Sequence, residues 1–142
     1  MLVRLLYASH AAQVPSPEII DSILAACRAN NPAKGITGIL CYSGETFVQV
    51  LEGSRLEVSR LYNNIVRDDR HREIVLLSYE EISERRFCDW TMGQVNLAKI
   101  NPSIMLKYCE TAELDPFNIS GKAALALMEE LIASACIVGR SA

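Results

Sequence analysis

The sequence predicts an α+β fold of the ferredoxin-like type, in which two β-α-β units share one antiparallel sheet. Segments of strand character and of helical periodicity alternate along the chain in the order β-α-β-β-α-β, and a fifth strand follows. The helical segments come after the first and third strands, so both are expected on the same face of the sheet. A chain of 142 residues fits one such domain.

The first strand and helix are predicted from the N-terminal 30 residues. Residues 2–8 (LVRLLYA) are apolar on both faces apart from Arg4, which indicates a buried strand. Ser16 followed by Pro17 is a helix start, and apolar residues then recur at helical spacing. We expect the helix to end at Asn30-Asn31-Pro32, because Asn tolerates a left-handed cap and Pro disfavours helical geometry in the residue before it.

A hairpin and a second helix follow. Residues 36–42 (ITGILCY) and 46–51 (TFVQVL) predict two strands joined by the turn Ser43-Gly44-Glu45. Ser54-Arg55-Leu56-Glu57 is a capping box that opens the helix, and the charged run at 67–72 ends it. Its predicted apolar face consists of Val58, Leu61, Tyr62, Ile65 and Val66.

The remaining strands and the C-terminal tail complete the prediction. The fourth strand is expected at 74–82 and the fifth at 90–97. A short helix is expected at 102–108 and a longer, strongly apolar one at 123–138, whose inward stripe would be Leu125, Met128, Leu131, Ile132 and Ala135. These helices would cover the second face of the sheet. Residues 1–98 would then form the core, and residues 99–142 a helical cap in the same domain.

Composition restricts the possible partners. The net charge of −3 and a pI near 5.4 argue against general binding to nucleic acid or to anionic membranes. No apolar stretch approaches the roughly 20 residues of a membrane span, and the N-terminus lacks a signal-peptide pattern. The five cysteines are scattered and never form a C-x-x-C pair, and there are only two histidines. We therefore expect a cytoplasmic protein with no metal site.

One polar residue, Gln49, interrupts the apolar run at 47–51. Strand side chains alternate between faces, so Gln49 shares an apolar face with Phe47 and Leu51. A buried amide costs about 1–3 kcal/mol unless it finds hydrogen-bond partners. Tyr7 could be such a partner, because the first and third strands are neighbours in this fold. A purely structural Tyr–Gln pair and a ligand-binding pair both fit this pattern.

Other candidate residues have ordinary explanations when taken one at a time. Asn31 fits a helix cap, but its amide can also bind the edge of a heterocycle. Trp90 and Met92 lie two residues apart on the predicted fifth strand, so they would share a face, as many core pairs do. The sequence has no glycine-rich phosphate loop and no nucleophile elbow, so nothing in these patterns indicates a hydrolase.

Together these residues resemble the BLUF family of blue-light flavin photoreceptors. The resemblance rests on Tyr7, on Asn31 in NNPAKGITGIL, on Gln49 in FVQVLEG, on DDRH at 68–71 and on RRFCDWTM. It covers about residues 2–97. The short chain with two C-terminal helices is similar to the stand-alone BLUF proteins known from cyanobacteria.

The resemblance implies a non-covalent flavin, FAD or FMN, between the helices at 17–30 and 54–68. Ile23 and Ile65 would flank the ring, and Asn31 would hydrogen-bond its pyrimidine carbonyl side. At position 64, relatives often have a basic residue or His. The uncharged side chain of Asn64 would make a weaker contact with the second carbonyl of the flavin. The other residues expected to line or approach the flavin are Asn30, Ile36, Leu40, Phe47, Asp68, Arg70 and His71.

The resemblance also implies that the protein is a switch and not an enzyme. Gln49 would bridge Tyr7 and the N5/O4 edge of the flavin, with Trp90 and Met92 beside it as reporters. Light would draw an electron and a proton from Tyr7, and the Gln49 amide would end rotated or tautomerised. The signal would pass to a separate effector protein, and we expect a homo-oligomer.

Two alternatives remain open on the sequence alone. In a ferredoxin-like regulatory module for another small ligand, Tyr7 and Gln49 would bond only to each other. An acylphosphatase-type enzyme would need an Arg in the loop after the first strand, where this chain has Ser9-His10-Ala11-Ala12.

Overall fold

The structure of the protein, a computed structural model, describes residues 1–12, 16–134 and 137. Its sheet has the strand order β4-β1-β3-β2-β5, and all neighbours are antiparallel except β2 and β5, which are parallel. This is the predicted ferredoxin-like arrangement, extended by β5. The elements are β1 (Leu2–Ala11), α1 (Pro17–Lys34), β2 (Thr37–Ser43), β3 (Thr46–Ser54), α2 (Arg55–Val66), β4 (His71–Ile82), β5 (Gly93–Asn96), α3 (Pro102–Tyr108) and α4 (Gly121–Ala133), with short 3₁₀ turns at Leu97–Lys99 and Pro116–Asn118.

Each face of the sheet carries its own apolar core. Residues of α1 and α2 pack on one face, against Tyr7, Leu40, Phe47 and Leu51 among others. Residues of α3 and α4 pack on the other face, where the sheet contributes Leu6, Ile39, Cys41, Val48 and Val50. The C-terminal helices therefore cover the second face, as predicted. Among the described residues, no helix is both long enough and apolar enough to cross a membrane.

The starts of α1 and α2 agree with the sequence, whereas α4 begins at Gly121 rather than at residue 123 and the end of α1 also differs. Ser16 accepts a hydrogen bond from the Ile19 N–H at 3.2 Å, as its N-cap role predicts. The predicted end at residues 30–32 was wrong, because α1 continues through Pro32 to Lys34. Gly35 adopts the left-handed cap conformation (φ 68°), and its N–H faces the Asn31 and Pro32 carbonyls. Pro32 removes one N–H donor and crowds the carbonyl one turn earlier, but only two residues of the helix follow it.

Four further boundaries or faces differ from the prediction. β4 begins at His71 rather than at residue 74, and β5 covers only 93–96 rather than 90–97. Val66, predicted to face the core, is exposed at the end of α2. On α4 the buried residues are Ala124, Leu127, Met128 and Leu131, whereas Leu125 and Ile132 are only partly buried. Ala135, the last member of the predicted stripe, lies outside the described residues.

Candidate functional site

Tyr7 and Gln49 form the centre of the candidate site. They are direct neighbours across β1 and β3, and both are almost completely buried. The Tyr7 hydroxyl donates a hydrogen bond to Gln49 Oε1. Gln49 Nε2 donates to Met92 Sδ at 3.1 Å. Both ends of the buried amide are therefore occupied, one by a phenol and the other by a thioether.

The surroundings of Tyr7 keep its hydroxyl protonated. Burial raises the pKa of Tyr7 well above its ordinary value, because a phenolate would lose its hydration. Its ring lies 5.8 Å, centroid to centroid, from that of Tyr62, and 6.2 Å from that of His71 in an edge-on arrangement. The phenol is thus held by aromatic neighbours while its proton points at Gln49.

His71 is a second buried polar group beside the pair. Its Nδ1 lies 2.9 Å from Ser9 Oγ, and its ring centroid is 5.0 Å from that of Phe47. Burial lowers the pKa of His71, since the imidazolium would be poorly solvated there. The ring is therefore neutral at neutral pH.

A cavity of about 200 Å³ opens between α1 and α2, directly beside Tyr7 and Gln49. A second cavity of about 440 Å³ shares Asp68 and Arg70 with it and also reaches Ala11, Ala12 and Ile19. Together they offer the size of site that small cofactors use. The first is lined by Tyr7, Ile23, Ala26, Cys27, Asn30, Asn31, Lys34, Gln49, Leu61, Asn64, Ile65, Asp68, Arg70 and His71.

Asn31 presents an unused donor to this cavity. Asn31 is 1% exposed, and among the described residues its Nδ2 has no hydrogen-bond partner. Buried donors of this kind are rare in proteins and call for an explanation. Asn30 differs, because it is exposed and its Nδ2 donates to the Ala26 carbonyl at 2.9 Å. The geometry around Asn31 therefore suits a ligand with an acceptor at its edge.

Asp68 and Arg70 form an ion pair at the junction of the two cavities. Arg70 Nε lies 3.0 Å from each Asp68 carboxylate oxygen, and Nη2 lies 2.6 Å from Oδ2. Arg70 Nη1 also donates to Ser22 on α1 at 3.1 Å. Hydrogen bonding to Arg70 lowers the pKa of Asp68. The pair thus fastens the loop after α2 to α1.

The structure brings most of the predicted site residues together. Ten line the cavity, namely Tyr7, Ile23, Asn30, Asn31, Gln49, Asn64, Ile65, Asp68, Arg70 and His71. Ile36, Leu40 and Phe47 do not line it but are buried in the apolar cluster behind it.

Trp90 does not join the site. Met92 is buried in the same cluster as Tyr7, whereas Trp90 is buried in the cluster beneath α4. The prediction that the two residues share a face was wrong, because both precede β5 and are not subject to strand alternation.

Four lining residues were missed in the sequence. They are Ala26, Cys27, Lys34 and Leu61. The signal was helical spacing: Cys27 follows Ile23 by one turn, and Leu61 precedes Ile65 by one turn. Burial raises the pKa of the Cys27 thiol, so this side chain contributes a neutral wall.

Comparison with known proteins gives a family match. The family model described as "BLUF: Sensors of blue-light using FAD" matches residues 2–93. The Escherichia coli (strain K12) protein "Blue light- and temperature-regulated antirepressor BluF" is 34% identical over 87 residues, which is 61% of this chain and 22% of that protein. The "Photoactivated adenylate cyclase subunit alpha" of Euglena gracilis is 39% identical over 84 residues, which is 59% of this chain and 8% of that protein. The chain thus spans less than a quarter of either curated relative.

Two similar solved structures match along almost their whole length. The dark-state structure of BlrB, titled a BLUF protein, has a TM-score of 0.79 at 34% identity. The match covers 94% of this chain and 96% of the BlrB chain. The photo-activated state of BlsA has a TM-score of 0.83 at 31% identity, and the match covers 93% of this chain and 95% of the BlsA chain. The likeness therefore includes the C-terminal helices as well as the sheet.

Proposed function

This chain belongs to the BLUF family of flavin photoreceptors, and we propose that it binds the flavin between α1 and α2 and uses Tyr7 and Gln49 as the light-operated switch. The observation that carries the proposal is the Gln49 amide, which is buried beside the cavity and hydrogen-bonded at both ends. A ferredoxin-like module without photochemistry would explain the pair but not the family match. The photoreceptor is therefore the favoured interpretation.

The residues of the cavity fit a flavin ring. Asn31 Nδ2 is a buried donor in need of an acceptor, and a flavin carbonyl is one. Ile23 on α1 and Ile65 on α2 would contact the two faces of the ring, while Asn64 offers an uncharged donor. Asp68, Arg70, His71 and Asn30 would surround the ring and its side chain. These assignments are proposals that rest on the lining of the cavity.

The chemistry of the switch follows from what each side chain can donate and accept. A bound flavin supplies blue-light absorption and, when excited, an electron acceptor. Tyr7 can give up an electron to the excited flavin and its hydroxyl proton to Gln49 Oε1, and Gln49 would relay a proton from Nε2 toward the flavin until the pair recombines and electron and proton return to Tyr7. Rotation of the amide would exchange the donor and the acceptor at both ends. The Met92 thioether can only accept, so the rotated amide would lose its hydrogen bond there and would return in the dark.

We propose FAD as the flavin, with FMN as the alternative. The description of the matching family names FAD. The second cavity, beyond Asp68 and Arg70, leaves space for the chain that extends from the ring. A similar solved structure, BlrP1 of Klebsiella pneumoniae, is titled as a complex with FMN (28% identity, TM-score 0.70). Mass spectrometry of the cofactor released from purified protein would distinguish the two.

We further propose that the output passes to a separate effector protein, and that the chain forms a homo-oligomer in the cytoplasm. The BlsA and BlrB chains match over 95% and 96% of their own length, so BLUF proteins that carry little beside this domain exist, whereas the curated relatives are much longer. The packing of α3 and α4 against the sheet supports a single domain with a core at 1–98 and a cap at 99–142. The free thiols Cys27, Cys41, Cys88 and Cys109 support a reducing compartment.

An absorption spectrum before and after blue light tests the proposed function. We expect the purified protein to be yellow, and its flavin absorption to shift slightly to the red in light and to return in darkness. A folded, colourless protein that takes up no added flavin would contradict the proposal.

A further inference from the structure

A buried ion pair lies on the face of the sheet opposite to Tyr7 and Gln49. Arg4 on β1 and Glu52 on β3 are direct neighbours, and Arg4 Nη2 lies 2.8 Å from Glu52 Oε2. The side chains are 7% and 0% exposed. Arg4 Nη1 also bonds Glu80 on β4 at 2.8 Å, but that carboxylate is 44% exposed. Of the two carboxylates that bind Arg4, Glu52 is therefore the buried one. Buried charges persist only when they have partners.

The Glu52 carboxylate also holds the loop between β4 and β5. Its Oε1 accepts the backbone N–H of Arg86 at 3.0 Å and that of Phe87 at 2.7 Å. Beside Glu52 on β2, Thr37 Oγ1 accepts from Arg85 Nη1 at 3.1 Å. Hydrogen bonds to a carboxylate are among the stronger ones in proteins. The start of the loop is thus fixed to the sheet.

The far end of the same loop reaches the switch. The Trp90 carbonyl accepts from the Gly38 N–H at 2.9 Å. Two residues later, Met92 Sδ accepts from Gln49 Nε2 at 3.1 Å. Gln49 and Glu52 are three residues apart on β3, so their side chains point to opposite faces. One strand therefore holds the loop at both ends, through Glu52 at residues 86–87 and through Gln49 at residue 92.

We propose that Glu52, held in place by Arg4, is a positioning residue of the photoswitch. It fixes residues 85–92 where Met92 Sδ can accept from Gln49 Nε2. This inference rests on the proposed function, because it concerns the stability of the dark arrangement. With the uncharged amide of Glu52→Gln in place of the carboxylate, the Arg86 and Phe87 N–H groups keep one oxygen but lose the charged acceptor, so both hydrogen bonds weaken. The dark contact between Met92 and Gln49 then forms more slowly after illumination.

The test compares Glu52→Gln with the matched variant Glu80→Gln in the flavin-loaded full chain. Each substitution removes one carboxylate partner of Arg4, but Glu80 has no hydrogen bond to the loop among the described residues. Methyl-¹³C methionine labelling gives one NMR signal for each of the four methionines. Met92→Leu identifies the Met92 signal. The second readout is the rate of dark recovery after blue light.

We expect Glu52→Gln to move the Met92 signal in the dark and to slow dark recovery about tenfold, the factor that corresponds to about 1.4 kcal/mol. Glu80→Gln should leave the Met92 signal and the rate of dark recovery as in wild type. If Glu52→Gln does not fold, Arg4→Met/Glu52→Gln leaves no unpaired buried charge and should show the same two changes. A folded variant with an unchanged Met92 signal and recovery rate would overturn the inference. A wild type without a photocycle would overturn the proposed function instead, and the Met92 signal would then still show whether Glu52 positions Met92.

Discussion

Trp90 and Met92 are two residues apart in the chain and pack on opposite faces of the sheet. Met92 contacts the Gln49 amide among the residues beneath α1 and α2, and Trp90 lies among the residues beneath α4. The segment between the Gly38 contact and β5 therefore crosses from one core to the other. A change at Gln49 can reach the α4 side of the sheet through three residues of backbone.

The two residues should have separable effects. Met92→Leu conserves side-chain volume but removes the thioether acceptor, so the Gln49 Nε2 loses its partner. We expect this variant to keep flavin and a light-induced red shift, with a recovery rate changed by about tenfold. Trp90→Phe, on the other face, should leave the spectrum and the recovery rate close to wild type. Dark and light absorption spectra of both variants check this, and equal effects would contradict the separation.

Tyr7→Phe should keep flavin but abolish the stable red shift. The variant removes only the hydroxyl that donates to Gln49 Oε1, while the apolar walls Ile23 and Ile65 remain. Bound flavin is measured after gel filtration, and the shift by light-minus-dark spectroscopy. Tyr62→Phe is the matched control, because it removes a hydroxyl from the neighbouring ring and should retain the shift. A normal photocycle in Tyr7→Phe would place the switch elsewhere.

Asn31→Ala should weaken flavin binding. The substitution removes the buried Nδ2 donor, and one such hydrogen bond contributes about 1 kcal/mol or slightly more. We therefore expect the flavin Kd to rise about tenfold. Fluorescence titration of flavin-depleted protein measures it. Asn63→Ala, at an exposed position of α2 that does not line the cavity, should leave the Kd unchanged; equal losses in both variants would argue against a direct contact.

His71 should make the protein less stable in mild acid. Burial lowers the pKa of His71 in the folded state, so the unfolded chain takes up a proton near pH 6.5 before the folded chain does. The stability associated with the neutral ring is complete above that pH. It falls below it, by at most about 1.4 kcal/mol per pH unit. Urea unfolding at pH 7.5, 6.5 and 5.5 with saturating flavin should show this loss in wild type, and His71→Asn should show a smaller one.

Much of the fold could be predicted because its signals are local. Ser16 and Ser54 cap their helices through hydrogen bonds within one turn, so a few residues suffice to identify them. The end of α1 depended on Gly35, whose left-handed conformation comes three residues after the proline that was expected to stop the helix. The extent of β5 depended on tertiary contacts, which no local pattern encodes.

The site was predictable where strand alternation applies. Tyr7 and Gln49 face each other because β1 and β3 are antiparallel neighbours, and both lie inside regular strands. The same register pairs Arg4 with Glu52, so this ion pair could be predicted from the sequence once the register was known. The position of Met92 was not, because residues 90–92 follow a loop whose path is set by Glu52 and Gly38.

The central claim, that the Gln49 amide is the group switched by light, is tested most directly by light-minus-dark infrared spectroscopy of protein labelled with ¹³C at the glutamine side-chain carbonyl. The chain has three glutamines, and within the part of it that the structure describes Gln49 is the one that hydrogen-bonds both Tyr7 and Met92. We predict a light-induced difference band that moves with the label in wild type and is absent from Gln49→Leu. A wild-type photocycle without any label-sensitive band, or with one that persists in Gln49→Leu, would contradict the account.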